Sequence, residues 1–237
     1  MIDKDEGIIV FSKKIKDNDL FIKVLSSKDK MVSGMVYGGN SSKKKSIYQI
    51  GYFIDYSLFQ KNTNIPSTFK AEIIKPFIGP IFNDRYKSYS LLSIVSLVNL
   101  SILEGQKIND LYLSVKEIVE IIIMKKNWIS FYCEWLFKLL KIIGYQIDYE
   151  NKKKYKFFNF INQEFENINI ENSIIFPHHI LEHSGKVSHS EIRNLFLIFE
   201  SIYTKNHLDN INYKMPVNFI NFKNLILNYL KENNYDQ

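Results

Sequence analysis

Cysteine and arginine are almost missing from this sequence, and each absence excludes something. The one cysteine, Cys133, can form no disulfide within the chain, which is typical of a reducing compartment and predicts a cytoplasmic location. Arginine occurs only as Arg85 and Arg193. Lysine must therefore supply nearly all of the positive charge, as a point charge without the paired hydrogen bonds of a guanidinium group.

Long apolar runs are missing as well. A membrane-spanning helix needs about 20 consecutive apolar residues, and the longest run here, residues 91–103, is interrupted by serines and an asparagine. The chain opens with Asp3, Asp5 and Glu6, which are foreign to a secretory signal peptide. The sequence therefore predicts neither a membrane partner nor a secretory leader.

The residues that are present suit a folded protein with one basic end. The chain has 237 residues, of which 46% are hydrophobic, which is enough to build a core. Residues 1–80 hold 13 lysines against 8 acidic residues, whereas residues 81–237 hold 18 basic against 17 acidic residues. This concentration of positive charge predicts a polyanionic partner for the N-terminal third.

The first 78 residues have the pattern of short strands. Runs rich in β-branched and aromatic residues alternate with polar turns, at 7–12, 19–26, 31–37, 50–60 and 68–77. Five such strands suit a small OB-type barrel, although periodicity alone also fits an open sheet or an SH3-like barrel. Pro76, Gly79 and Pro80 then indicate a junction, which places a first domain at residues 1–80.

Beyond the junction the apolar period becomes helical, which predicts an all-helical domain over residues 81–237. Three helices are predicted first: from Asp84 to about Gly105, from a cap at Asp110, and from 128 to 143 with Gly144 as the C-cap. In the second of these helices the residues expected to face inward are Leu113, Ile118, Ile121 and Ile122.

The last third of the chain is less regular. Residues 151–175, rich in Asn and Lys, are predicted to form a loop with short structured pieces. The spacing of Ser188 and Glu191 is that of a capping box and predicts the start of a helix. A final helix is expected over residues 217–232.

The segment most typical of ligand binding is residues 31–45, in which a strand-like apolar run stops at Gly38 and Gly39 and is followed by Asn-Ser-Ser-Lys-Lys-Lys. Two glycines allow a positive φ and a close approach of the backbone to a ligand. Small polar side chains such as Asn40 and Ser42 reach phosphate oxygens, and lysines neutralise phosphate charge. A polyanion therefore suits this loop, and a solvated hairpin loop is the alternative.

Other basic residues lie at predicted turns or strand ends, so that several can converge on one rim of a barrel. The predicted nucleic-acid site comprises Lys13, Lys14, Lys16, Lys28, Lys30, Tyr37, Asn40, Ser42, Lys43, Lys44 and Lys45. Single strands bind such barrels through charge for the backbone and rings for the bases. The rings available to bases are Tyr37, Tyr48, Tyr52 and Phe53.

The sequence shows no catalytic pattern, and we predict neither an enzyme nor a cofactor. Five histidines lie between residues 178 and 207, and His179 and His183 would share a helix face, but no cysteine pair or H-E-x-x-H motif accompanies them. No bound metal is therefore predicted. Cys133 is expected to be a small buried residue, and Glu134 to accept hydrogen bonds from a neighbouring chain segment in the core, which is a structural role.

Several segments resemble, in order and spacing, the N-terminal domain of the RecO family of bacterial DNA-repair and recombination mediators. They are Asp5–Val10, Asp19–Leu25, Ser33–Gly39 with its lysine tail, and Ile50–Tyr56. A second block, Phe131–Glu134 followed by Leu139–Tyr145, resembles that family's helix and its leucine-glycine-tyrosine turn, with Ile143 in place of the leucine. The resemblance covers residues 3–150.

The resemblance implies an OB-type barrel and a non-enzymatic mediator that binds single- and double-stranded DNA. Such a mediator would anneal strands and help to load RecA onto DNA covered by single-stranded-DNA-binding protein. Its implied partners are RecR and the acidic C-terminal tail of that protein. Some family members carry a four-cysteine zinc module after the Gly-Tyr turn, and this chain has no cysteine there.

Two other functions remain open at the level of sequence. An RNA-binding OB module fits the barrel equally well, and a comparison of DNA and RNA affinity would separate it from the first hypothesis. A hydrolase that uses the C-terminal histidines is the other alternative, and stoichiometric zinc in the purified protein would favour it.

Overall fold

The computed structural model describes residues 2–16, 18–60, 66–74, 79–184 and 186–233. Its residues divide into two compact units, 1–119 and 120–237. The first contains the strands of a barrel and the helices that follow it as far as residue 119, and the second contains the end of the helix at that boundary, further helices and a small sheet. The domain boundary near residue 80 stays a prediction about which segment folds by itself.

Five strands form the barrel: β1 (Ile2–Lys14), β2 (Leu20–Ser26), β3 (Met31–Val36), β4 (Phe53–Phe59) and β5 (Thr68–Ile73). They close in the order β1–β2–β3–β5–β4, and all neighbours are antiparallel except β3 and β5. A five-stranded barrel of this order is of the OB type. The predicted fold class of this part is confirmed, and the open-sheet alternative is wrong.

Alternation along the strands builds the barrel core. Its members are Ile9, Leu20, Ile22, Val24, Val36, Tyr48, Ile54, Tyr56 and Phe69. Strand β1 serves two neighbours: its residues 2–8 pair with β4 and residues 7–14 pair with β2, with a bulge between Ile9 and Phe11. Each fully buried aliphatic or aromatic side chain contributes about 1.5–3 kcal/mol to folding.

Three helices follow the barrel strands: α1 (Gly79–Phe82), α2 (Arg85–Ser101) and α3 (Leu111–Met124). The carboxylate of Asp84 caps α2 by accepting the backbone N–H groups of Tyr86 at 2.9 Å and Lys87 at 3.2 Å. The predicted start of this helix is confirmed, and its end comes at Ser101, a few residues earlier than expected.

The cap predicted for α3 at Asp110 is wrong. Asp29, in the turn between β2 and β3, accepts the backbone N–H of Asp110 at 2.9 Å and that of Tyr112 at 2.8 Å. Asp110 has a φ of +67°, whereas an N-cap residue has an extended backbone. The cap is therefore supplied from 81 residues upstream, where no local sequence pattern reveals it.

The buried face of α3 also differs in part from the prediction. Ile118 and Ile122 are buried as expected, together with Val115. Leu113 is 53% exposed, so its prediction as an inward residue is wrong.

In the second unit, helix α4 (Trp128–Ile142) has the predicted amphipathic pattern. Its buried residues include Tyr132, Leu136 and Leu139. The helix ends with the Tyr145 N–H bonded to the Leu140 carbonyl at 2.8 Å and with Gly144 at a φ of +91°. A glycine adopts this left-handed conformation without a side-chain clash, so the predicted C-cap is confirmed.

A small sheet follows α4, so the second part of the chain is mainly, not entirely, helical. Its strands are β6 (Phe157–Asn159), β7 (Phe165–Glu166) and β8 (Ser173–Ile175), in the antiparallel order β7–β6–β8. Aromatic rings pack behind it: Phe158 and Phe176 lie 5.3 Å and 5.0 Å, centroid to centroid, from Phe165. The expected short structured pieces are these three strands.

The chain ends with helices: α5 (His178–Leu181), α6 (His189–Tyr203), a π-helical turn (Thr204–Leu208), α7 (Asp209–Ile211) and α8 (Val217–Glu232). The capping box of Ser188 and Glu191 at the start of α6 is confirmed, as is the final helix. Among the helices that the structure describes, none is both long and apolar enough to cross a bilayer.

Candidate nucleic-acid interface

The barrel topology brings two lysine-bearing loops to the same end. Lys14 is paired with Leu20, and Leu20 is paired with Val36, so the end of β1, the start of β2 and the end of β3 lie side by side. The residues beyond these strand ends form one rim. We call residues 13–16 and 37–45 the lysine rim.

Hydrogen bonds tie the two loops of the lysine rim to each other. The Asp19 carboxylate accepts the Gly38 N–H at 2.8 Å, and the Asn18 carbonyl accepts the Asn40 N–H at 2.7 Å. Gly38 has a φ of +65°, which glycine adopts at no steric cost. The predicted glycine turn is confirmed, and these hydrogen bonds hold the backbone of residues 38 and 40 in place.

The rim lysines are exposed and make no internal ion pairs within the described part of the chain. Among the described residues no carboxylate lies within 4.0 Å of Lys13, Lys14, Lys16, Lys43 or Lys45, and the ammonium of Lys44 lies 3.5 Å from the Tyr37 carbonyl. Their charges are therefore available to an external anion. Asn40 is half-buried and Ser42 is exposed in the same loop.

Lys28 and Lys30, also predicted as site residues, lie at the other end of the barrel. They occupy the turn from β2 to β3, and β2 is seven residues long, or about 20 Å. Lys28 pairs with Asp3 at 3.0 Å and with Asp5 at 3.8 Å. The hydrogen bond to Asp3 raises the pKa of Lys28. The predicted set of residues therefore divides between two ends of the barrel.

Of the four rings predicted to be available to bases, only Tyr37 is open to solvent, with 55% of the residue exposed. Tyr48 and Phe53 are buried, and the Tyr48 hydroxyl accepts the Ala71 N–H at 3.2 Å. Tyr52 packs against Phe82 with ring centroids 5.6 Å apart. The prediction that the rings of Tyr48 and Phe53 are available to bases is therefore wrong, and the half-buried Tyr52 ring already packs within the fold.

The structure adds a surface that the sequence analysis missed. Across β1 and β2, Phe11 is paired with Lys23 and Lys13 with Phe21, so two rings and two ammonium groups alternate on one face. The rings of Phe11 and Phe21 are 6.5 Å apart, and the Lys23 ammonium lies 5.9 Å from the Phe11 centroid. All three residues are partly exposed. We call this the outer strand face.

The outer strand face could have been found from alternation along the chain. Leu20, Ile22 and Val24 point into the core, so Phe21 and Lys23 between them must point outward. A phenylalanine and a lysine on the solvent side of a strand are the residues that single-strand binding uses.

A different side of the barrel is acidic. A shallow depression of about 700 Å³ on β1, β4 and β5 is lined by four carboxylates and two lysines, namely Asp5, Glu6, Asp55, Glu72, Lys4 and Lys70. The four carboxylates and two lysines give this depression a formal net charge of −2, opposite in sign to the lysine rim.

The second unit contains a smaller pocket of about 350 Å³. Lys125 and Lys126 lie at its edge, and Ile180 and Phe131 are among its apolar lining residues. His183 stacks on Phe131 at 3.6 Å between centroids, and the Lys125 ammonium lies 3.7 Å from the same ring. We call this the basic pocket.

The histidines are held by local partners. His183 lies beyond the end of α5 at a φ of +56°, so the shared helix face predicted for His179 and His183 is wrong. His183 bonds to Glu134 at 2.9 Å and to Ser130 at 3.2 Å, and His179 lies 3.2 Å from Glu191. Among the described residues no group of three or more His, Cys, Asp or Glu is placed to hold a metal ion.

Cys133 is fully buried in α4, as predicted, and burial raises the pKa of its thiol. The thiolate needed for nucleophilic chemistry is therefore disfavoured. Its neighbour Glu134 accepts the hydrogen bond from His183, as predicted, but it does so with a side chain that is 43% exposed and not in the core.

The fold places this protein in a class whose members have an OB-type barrel followed by a mainly helical region. Residues 1–77 match the family model described as "Recombination protein O N terminal". The chain belongs to the RecO family of DNA repair proteins.

Curated relatives agree with this assignment. The DNA repair protein RecO of Rickettsia canadensis (strain McKiel) is 29% identical over 145 residues, which cover 61% of this chain and 59% of that protein. RecO of Wolbachia sp. subsp. Drosophila simulans (strain wRi) is 27% identical over 146 residues, or 61% and 60% of the two chains. The match spans about three fifths of these relatives' length.

A third relative is named without a function. The uncharacterized protein RP548 of Rickettsia prowazekii (strain Madrid E) is 30% identical over 95 residues, which cover 40% of this chain and 82% of that protein.

Proposed function

We propose that this protein serves DNA repair and recombination by binding DNA through the lysine rim, without catalysing a reaction itself. The observation that carries the proposal is the cluster of exposed lysines, unpaired among the described residues, on two loops that hydrogen bonds hold together. Such a cluster neutralises phosphates and releases their counterions, which is the main source of affinity for nucleic acid. The residues proposed to bind are Lys13, Lys14, Lys16, Tyr37, Asn40, Ser42, Lys43, Lys44 and Lys45.

The outer strand face continues the proposed path of a single strand. Lys13 belongs to both surfaces, and from there Phe21, Phe11 and Lys23 follow across β2 and β1. Ser33, which is paired with Lys23, donates a hydrogen bond to Glu104. Because the Glu104 carboxylate is negatively charged, we place the end of the proposed path there. Lys28 and Lys30 lie away from this path, and we leave them out of the proposed site.

Family membership supports a more specific role. We propose that the protein anneals complementary strands and helps to load RecA onto DNA covered by single-stranded-DNA-binding protein, with RecR as a further partner. Annealing needs neutralisation of two polyanions and no bond chemistry, so a basic barrel suffices. The same lysines would hold the phosphates of double-stranded DNA.

The basic pocket is our proposed site for the acidic C-terminal tail of the single-strand-binding protein. Such a tail offers carboxylates beside apolar side chains. Lys125 and Lys126 suit the carboxylates, and Ile180 and Phe131 suit an apolar group. Asn127, the N-cap of α4, makes no side-chain hydrogen bond to the helix, which leaves backbone donors at the positive end of the helix dipole.

Replacement of Lys43, Lys44 and Lys45 by alanine tests the rim. If each lysine binds one phosphate of a single strand, each replacement should make the slope of log K against log salt shallower by about 0.7, and the three together by about 2. Titration of a labelled oligonucleotide at several salt concentrations measures this slope.

The matched control is a second run of three exposed lysines, Lys152, Lys153 and Lys154, in the other unit. Their replacement by alanine changes the net charge equally and should leave the salt slope unaltered. Equal effects of the two triple variants would show that only total charge matters, and the rim would lose its assignment.

A strand-annealing assay tests the specific role. The protein should accelerate annealing of complementary DNA strands, and it should retain this activity when the strands are covered by single-strand-binding protein. Tighter binding to RNA than to DNA of matched sequence, with no annealing, would favour the RNA-binding alternative instead.

A further inference from the structure

Two apolar side chains stand out on the lysine rim. Ile15 is 48% exposed and Tyr37 is 55% exposed, and each is the first residue after a strand, at the start of a loop. Among the described residues, the Tyr37 ring stacks on no other ring and its hydroxyl has no hydrogen-bond partner. Ile15 lies between Lys14 and Lys16 in the sequence, and the Lys44 ammonium lies 3.5 Å from the Tyr37 carbonyl, so both side chains belong to a basic surface.

The backbone fixes the spacing of these two side chains. Ile15 follows Lys14 and Tyr37 follows Val36, and these strand ends are separated only by Leu20 of β2. Two strand spacings place the Cα atoms of Ile15 and Tyr37 about 10 Å apart. The Ile15 N–H bonds to the Asp19 carbonyl at 3.1 Å, and the Asp19 carboxylate accepts the Gly38 N–H, so the same residue anchors the backbone at Ile15 and next to Tyr37.

We infer that Ile15 and Tyr37 contact unstacked bases and thereby make the lysine rim prefer single-stranded over double-stranded DNA. This inference rests on the proposed function, because it concerns the same rim. Lysines contact phosphates, which both forms of DNA present. An exposed ring and an exposed branched aliphatic group can pack against the flat face of a base. In a duplex that face is covered by the neighbouring stacked bases.

Such a preference has a use in annealing. A protein that bound both forms through charge alone would hold the duplex product, because the duplex has the higher density of phosphate charge. Apolar interactions available only with single strands favour the substrates. These interactions end when the strands pair, so the product is released.

The test is the ratio of affinities for single-stranded and double-stranded DNA of the same sequence and length, measured at one salt concentration. Removal of a ring that stacks on a base lowers affinity by about 5- to 100-fold. Tyr37→Ala should therefore weaken single-strand binding by about fivefold or more and change duplex binding by less than about twofold. Ile15→Ala should act in the same direction with a smaller effect, and Tyr37→Phe should retain the wild-type ratio.

Matched controls are available elsewhere on the surface. Tyr213→Ala and Leu113→Ala remove apolar groups that are 60% and 53% exposed, and neither should change the ratio. Equal losses of affinity for the two DNA forms, or no loss with Tyr37→Ala, would overturn the inference. If the wild-type protein bound neither form, the proposed function would fail as well. If the wild-type protein binds DNA with a salt slope that depends on the rim lysines, but Tyr37→Ala leaves the ratio of single-strand to duplex affinity unchanged, this inference alone is rejected.

Discussion

At the scale of single residues, Asp29 shows how one side chain links distant segments. It lies in the turn between two strands with a φ of +62°, and its two carboxylate oxygens accept N–H groups at the start of α3. An aspartate tolerates this left-handed backbone better than most residues do. The same residue therefore shapes the turn and caps the helix.

We predict that Asp29→Ala lowers the free energy of unfolding by about 1–2 kcal/mol, because the helix is then uncapped. Asp29→Asn should cost less, because an amide oxygen still accepts a hydrogen bond and asparagine tolerates a positive φ. Unfolding in denaturant measures both values. Asp110→Asn is the matched control and should be nearly neutral; a larger cost there than for Asp29→Asn would make Asp110 the true cap.

At the scale of elements, the small sheet β7–β6–β8 is held by rings and by one histidine. His178 packs its ring 4.6 Å from that of Phe176, and its Nε2 bonds to the Tyr155 carbonyl at 2.9 Å. Nε2 must then carry the proton of the neutral ring, which leaves Nδ1 unprotonated. Nδ1 is buried and has no hydrogen-bond partner in the part of the chain that the structure describes.

Burial lowers the pKa of His178, against a weaker opposing effect of the Tyr155 hydrogen bond. An unfolded histidine has a pKa of about 6.5. As the pH falls below that value, the unfolded chain takes up a proton that the folded chain resists, so stability falls. We predict a decline in the free energy of unfolding between about pH 7 and pH 5 that is shallower in His178→Gln. Identical pH slopes for the two proteins would contradict this account.

At the scale of the whole molecule, the two proposed surfaces lie in separate compact units. The lysine rim belongs to residues 1–119 and the basic pocket to residues 120–237. DNA binding and tail binding should therefore be separable in the full-length chain. DNA and the tail peptide are both negatively charged. Which unit binds which ligand is therefore decided by where the lysines lie, not by the sign of their charge.

We predict opposite effects for two sets of variants. Lys125→Ala with Lys126→Ala should weaken binding of an acidic-hydrophobic tail peptide about 5- to 20-fold and leave DNA affinity unchanged, because two positive charges at the pocket are removed. The triple alanine variant of Lys43, Lys44 and Lys45 should do the reverse. Fluorescence anisotropy with labelled peptide and labelled DNA measures both, and loss of both activities in either variant would refute the separation.

Several features could be predicted from neighbouring residues alone. The five strands, the helix starts at Asp84 and Ser188, the glycine end of α4 and the lysine-rich loop depend on local backbone preferences and short-range periodicity. The basic character of the N-terminal third follows directly from the count of lysines and acidic residues in the sequence. Such features can be predicted from the few residues on either side of each position.

Other features depend on which segments meet in space. Tyr48 and Tyr37 look alike in the sequence, yet one ring is buried in the barrel and the other is exposed. Lys28 and Lys43 belong to similar lysine-bearing turns, yet strand direction places them at opposite ends. The sequence by itself determined the kinds of elements and the sign of the charge. Only the closed barrel decided which lysines and rings share a surface, because strand pairing joins residues that are far apart in the chain.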